Sequence, residues 1–160
     1  LHVRRRRQRQ MCIRDSTHPL PNDLRRIAEQ SSGILLNWYL TDWTQTTNKI
    51  DYSINQVEKD KNRSNITLER IGLMPMPLEV LVTFKDGTEE YYYIPISLMR
   101  GDKKQPKYAK SWIQLNDWSW ASKKYTFEIK HKLESIKSID INPTGLIADT
   151  DYTNDILIFD

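Results

Sequence analysis

Residues 74–94 read MPMPLEVLVTFKDGTEEYYYI. Two runs rich in aromatic and branched residues flank Asp86-Gly87, and Asp-Gly is a strong two-residue hairpin signal because both central positions of a type I′ turn need φ > 0. With Asp86 and Gly87 as the loop, Lys85 pairs with Thr88, Val82 with Tyr91 and Val80 with Tyr93. Side chains alternate along a strand. This register therefore puts Leu78, Val80, Val82 and Phe84 on one face with Tyr91 and Tyr93. The opposite face carries Glu79, Thr83, Lys85 and Glu90, relieved only by Leu81, Tyr92 and Ile94. One face suits a core and the other is mostly wet, as in one layer of a β-sandwich.

Working outward, the same period recurs. Ile50, Tyr52 and Ile54 alternate with polar residues, as do Ile66, Leu68 and Arg70 after a charged turn expected at Glu58–Asn65. Pro75 and Pro77 lack a donor and belong at a strand start or an edge, and Pro95 ends the second arm of the hairpin. Downstream, Trp112, Ile113 and Leu115 suggest a short strand, and residues 117–120 a tight turn. Tyr125, Phe127 and Ile129 alternate again, and Ile139 and Ile141 close the series before Asn142-Pro143-Thr144-Gly145. About seven short strands with turn signals between them predict an antiparallel β-sandwich.

Upstream the period is helical. Pro21-Asn22-Asp23 offers a capped start, and Leu24, Ile27 and Ala28 fall on one face. A break is expected at Ser31-Ser32-Gly33. A second helix then places Leu36, Tyr39, Leu40 and Trp43 on one side and ends within Thr44–Asn48, where Thr and Asn are poor helix formers. The expected organisation is a tail at 1–16, a helical segment at 17–47 and a sandwich at 48–160.

The tail changes the charge argument. Residues 1–16, LHVRRRRQRQMCIRDS, resemble translated sequencing-adapter read-through, a scar to be set aside before reasoning about fold. The plain alternative is a solvated basic arm. The whole chain has 24 Lys+Arg and 21 Asp+Glu, and the tail holds six Arg and one Asp, so residues 17–160 hold 18 and 20, a net charge of −2. The sequence pI of about 8.9 thus comes from the tail. The body gives no reason to expect nucleic acid or an anionic surface as partner, and no apolar run reaches the roughly 18 residues of a membrane span.

Candidates for chemistry are few. The single cysteine, Cys12, and His2 lie in the tail, His18 is in a Pro-flanked loop, and His131 stands among lysines as a surface residue. None has metal-ligand spacing to a second ligand, and neither a phosphate-cradling Gly-rich loop nor a G-x-S-x-G elbow is present. Glu89 and Glu90 point to opposite faces of a strand. Asp149, Asp151 and Asp155 could make an oxygen-rich calcium loop but lack the central Gly and closing Glu of an EF-hand. Trp112, Trp118 and Trp120 could form a stacking platform for glycans or protein partners, against the simpler reading that they fill a core. The glycosylation patterns at Asn62 and Asn65 and the Arg100-Gly101-Asp102 triplet are short enough to recur by chance, and both read as turns.

Residues 31–52 (SGILLNWYLTDWTQTTNKIDY in its main part), 66–88 (ITLERIGLMPMPLEVLVTFKDGT), 112–120 (WIQLNDWSW) and 138–155 (SIDINPTGLIADTDYTND) together resemble the C-terminal part of aminopeptidase N-like gluzincins, a family of zinc metallopeptidases. The resemblance lies in apolar and turn positions over nearly all of residues 20–156. It implies that the helices are the end of a catalytic domain and that the strands are the β-sandwich that follows. The zinc and its H-E-x-x-H ligands, the general base and the transition-state tyrosine would all belong to an upstream part of the parent, for which the resemblance favours the periplasm or cell envelope. No position here matches those residues, so no catalytic, cofactor-binding or metal-binding residue is assigned. The expected role is non-catalytic support of an upstream peptidase domain; the alternative is a free-standing binding module using Trp112, Trp118 and Trp120. On the first reading, Trp38, Tyr39 and Trp43 should be left partly bare.

Overall fold

A computed structural model describes residues 20–159. The tail, with His2 and Cys12, and the loop residue His18 lie outside the described residues. Helices α1 (Pro21–Ser32) and α2 (Asn37–Gln45) come first. Pro21 occupies the first helical position, where its missing N–H is harmless. The Asp23 carboxylate accepts from Leu20 N at 3.0 Å, and Gly33 ends the helix with its N–H on Glu29 O.

Eight strands follow among the described residues, one more than the alternation suggested. They are β1 (Tyr52–Asp60), β2 (Arg63–Arg70), β3 (Leu78–Phe84), β4 (Glu89–Ile94), β5 (Trp112–Gln114), β6 (Lys124–Ile129), β7 (Ile136–Asp140) and β8 (Ile156–Ile158). One sheet has the order β1-β2-β6 and the other β5-β4-β3-β7-β8. All pairings are antiparallel except β4 with β5, which is parallel, so the second sheet is mixed and not purely antiparallel as expected. The chain can make that parallel pair because residues 95–111 supply a long crossover.

The two sheets share one hydrophobic cluster. Ile66, Leu68, Phe127 and Ile129 from the three-stranded sheet meet Leu78, Val80, Val82, Phe84, Ile136 and Ile139 from the other, all buried. Tyr92 and Phe127 touch across the layers with ring centroids 5.4 Å apart. Burial of each such side chain stabilises by about 1.5–3 kcal/mol. Trp118 plugs one end of the cluster, stacked on Tyr125 at 5.3 Å and edge-on to Tyr52 at 5.5 Å.

The central hairpin forms, but one residue out of the expected register. Val80 pairs with Tyr92 and Val82 with Glu90, not with Tyr93 and Tyr91. The loop has three residues, Lys85-Asp86-Gly87, closed by Phe84 N on Thr88 O (2.9 Å) and Gly87 N on Phe84 O (3.0 Å). Only Gly87 has positive φ (86°), the arrangement of a type I turn followed by a left-handed residue. The Asp86 carboxylate fixes it by accepting from Thr88 N and Oγ1 at 2.9 and 2.6 Å. A one-residue slip moves every side chain of a strand to the other face. Tyr92 and Ile94 therefore enter the core, while Tyr91 and Tyr93 lie on the outer face. That face is not left wet, since residues 97–111 fold over it and Tyr93 is buried there, stacked on Trp112 at 5.1 Å.

The expected turn at Glu58–Asn65 is also corrected. β1 and β2 run through it and turn only at Lys61-Asn62, with Lys61 at φ 52°. Asn65 is a strand residue, paired with Glu58 and Glu128. The ribbon is charged because its turn end, Glu58–Arg63, stands in water, where Arg63 pairs with Glu128 and Lys59 with Glu134; one step further Ser64 is already buried, its Oγ donating to His131 O at 2.9 Å. The turn expected at 117–120 closes instead at Ser119–Ser122, leaving Trp118 bridged to Ile96. In the Arg-Gly-Asp triplet the positive φ falls on Arg100 (47°). Gly101 instead allows a close approach, since a Cβ there would lie 2.5 Å from Gly33 O.

Candidate functional site

The helix pair is the most unusual surface. Leu20, which caps α1, and Leu24 and Ile27 within it stand 64%, 66% and 62% exposed, at the spacing of one helical face. The polar face points the other way. Glu29 accepts from Leu36 N at 2.8 Å, and Arg25 donates to Asn37 Oδ1 at 2.5 Å. The helix is thus turned with its apolar stripe to solvent, the reverse of a helix that completes its own core. Neither helix contains a fully buried residue. Of the aromatics expected to be bare, Trp38 and Tyr39 are half-buried against the core cluster and Trp43 is 50% exposed.

The candidate tryptophans do not form one platform. Trp118 is 3% exposed and donates its indole N–H to Ser122 O, Trp112 is half covered against Tyr93, and Trp120 alone stands out at 57%. His131 lies on the Phe84 ring at 4.2 Å, with Nε2 3.3 Å from Glu90 Oε1. The other Glu90 oxygen accepts from Tyr92 OH at 2.5 Å, and burial followed by this carboxylate pushes the Tyr92 phenol well above its usual range. Glu89 is exposed and on the other side of the strand.

A cleft of about 200 Å³ opens beside β3, between Met76, Tyr93, Ile141 and Leu146. Its polar wall is Glu79, whose carboxylate is paired with Lys103 and accepts from Tyr108 OH at 2.5 Å. The Lys103 backbone N–H donates to Tyr93 OH at 3.3 Å. These groups satisfy one another, and no nucleophile paired with a base lines the cleft.

The three aspartates expected as a possible calcium loop do not converge on one point. Asp149 is buried and fully bonded, accepting from Tyr52 N and Asp151 N at 2.9 Å each. Asp151 faces solvent and caps the turn at Tyr152–Asn154 through Thr153, whose hydrogen bonds hold its carboxyl below the usual range. Asp155 is buried within reach of the Asp149 charge, with neither carboxylate oxygen hydrogen-bonded. Among the described residues, no group of three or more His, Cys, Asp or Glu side chains is placed to hold a metal ion. No described helix is long and apolar enough to cross a membrane.

Two features went unread in the sequence. The short apolar run Ile156-Leu157-Ile158 signals β8, and the reversed amphipathicity of α1 depends on tertiary placement that no spacing reveals. Compared with protein-family models, curated proteins and solved structures, the chain gives no match in any of the three.

Proposed function

We propose that this chain is the non-catalytic C-terminal β-sandwich part of a larger protein resembling aminopeptidase N-like zinc metallopeptidases, and that it supports an upstream peptidase domain. One observation carries the reading: α1 turns Leu20, Leu24 and Ile27 to solvent while its polar side binds α2. A contiguous apolar stripe of this kind marks a face that another body covers. On this reading α1 and α2 are the last helices of the catalytic domain, and the covering body is the upstream part of that domain, which also holds the zinc and its ligands. Residues 21–45 then form a junction and the two sheets a buttress.

The test is direct. The isolated chain should bind a hydrophobic dye and self-associate in size-exclusion chromatography. Leu24→Glu with Ile27→Glu should abolish both without lowering stability, since neither side chain is buried. A clean monomer without dye binding contradicts the proposal, as does dye binding that survives the double substitution.

A further inference from the structure

After β7 the chain turns at Asn142–Gly145 and passes β1's leading end, where Thr150 N donates to Ile50 O at 3.0 Å and Asp149 receives Tyr52 N. It then re-enters the sheet as β8. Asp155 sits at the root of this return. Its carbonyl accepts from Ile141 N at 3.0 Å, and its side chain is turned inward, 2% exposed. Neither carboxylate oxygen has a hydrogen-bond donor, and the neighbouring Asn154 Oδ1 is likewise buried without one.

The charges that act on Asp155 all have its own sign. Asp149 comes from the returning loop, Asp140 from the end of β7 and Asp51 from just before β1. The other polar neighbour is the Asn142 amide, which donates one N–H to Ile147 O at 3.0 Å and accepts from Ile147 N; as a side-chain donor it favours the charge, but by less than burial and the Asp149 charge oppose it. A buried carboxylate with no counter-charge and only one amide beside it is unfavourable, and such a group tends to the neutral form.

We propose that Asp155 is a proton-operated latch: its neutral form holds the 142–159 segment against β7 and the start of β1, and its ionisation releases that segment. Burial, followed by the Asp149 charge, pushes the carboxyl from 3.8 up to about 7. The sign follows from linkage. The closed state keeps a proton that the open state loses, so closure is favoured at low pH and weakens as pH rises from about 4 to about 7, levelling off above. With these two values, the open-to-closed ratio grows by roughly fifty-fold between pH 5 and pH 7.

Amide hydrogen exchange on the full chain, corrected for intrinsic rates, reads the ratio at Ile141, Thr150 and Phe159, whose N–H groups close the segment. Their protection should fall about fifty-fold between pH 5 and pH 7, while protection within β3 and β4 stays constant. Asp155→Asn keeps the shape without the titration and should flatten the dependence. A carbon NMR titration of the Asp155 carboxyl in the unsubstituted chain gives the same answer should that variant not fold. Flat protection, a carboxyl midpoint near 4, or a saturable restoration of protection by calcium at pH 7 overturns the latch.

Discussion

Replacing Gly72 by Ala probes the link between the two β1–β2 flanks. Gly72 follows β2, and its segment is stitched to the residues before β1: Ile71 N and Gly72 N donate to Asp51 O at 2.8 and 2.9 Å, and Met74 N to Lys49 O at 3.1 Å. A Cβ on Gly72 would lie 2.3 Å from Lys49 O, 2.7 Å from Asp51 N and 3.0 Å from Lys49 C. All three are backbone atoms, so no side chain can swing away. Ordinary contact begins near 3.4 Å. The two segments must therefore part by about 1 Å, which takes all three hydrogen bonds beyond useful length.

Each such bond contributes about 1 kcal/mol net, so Gly72→Ala should destabilise by about 2–4 kcal/mol. That is a large fraction of the 5–15 kcal/mol typical of a domain. Urea unfolding followed by tryptophan fluorescence measures it, with a lowered midpoint and an unchanged slope. A loss below about 0.5 kcal/mol, within the range of neutral surface changes, refutes the reasoning, because it would mean that the segments are not held this close.

Three further outcomes follow from the same geometry. Gly87→Ala meets no atom within 4 Å but must hold φ 86°, so it should cost only about 1–2 kcal/mol, and a larger loss in urea would contradict the open loop. Tyr52→Phe removes a hydroxyl that accepts from Met76 N at 2.7 Å and donates to Met76 O at 3.2 Å, and should cost about 1–3 kcal/mol. Burial pushes the Tyr52 phenol up to about 12, so its contribution is full below pH 10 and lost as pH rises through about 12; the difference between ultraviolet titrations of the unsubstituted chain and of Tyr52→Phe should show the missing phenol titrating near 12 and not near 10. Trp118→Ala should cost about 3–5 kcal/mol as a cavity, whereas Trp120→Ala should stay within about 0.5 kcal/mol, and equal losses would contradict their placement.

The helices, the hairpin and most strands were legible because their apolar periods are strong. Register was not. Asp-Gly serves a two-residue loop with both φ positive and a three-residue loop with only the glycine positive, and the Asp86–Thr88 hydrogen bonds that accompany the second are a local detail without a spacing signature. The ribbon at 58–65 reads as a turn because its strand ends around Lys61 are exposed and charged, and a strand end in water has the composition of a turn. Asp149, Asp151 and Asp155 are interspersed in sequence with polar residues that give no sign of which carboxylate turns inward, so the burial of Asp155 is a tertiary fact. The reversed face of α1 is tertiary too: its sequence gives a stripe, but not the side of the helix on which the rest of the chain sits.

The most direct test of the peptidase-support account is to sequence the source DNA upstream of the codon for Thr17. The account predicts an open frame that continues upstream in place of the arginine run and encodes H-E-x-x-H with a downstream Glu. A frame that encodes the arginine run natively, from its own start, contradicts it and leaves a lone two-sheet module.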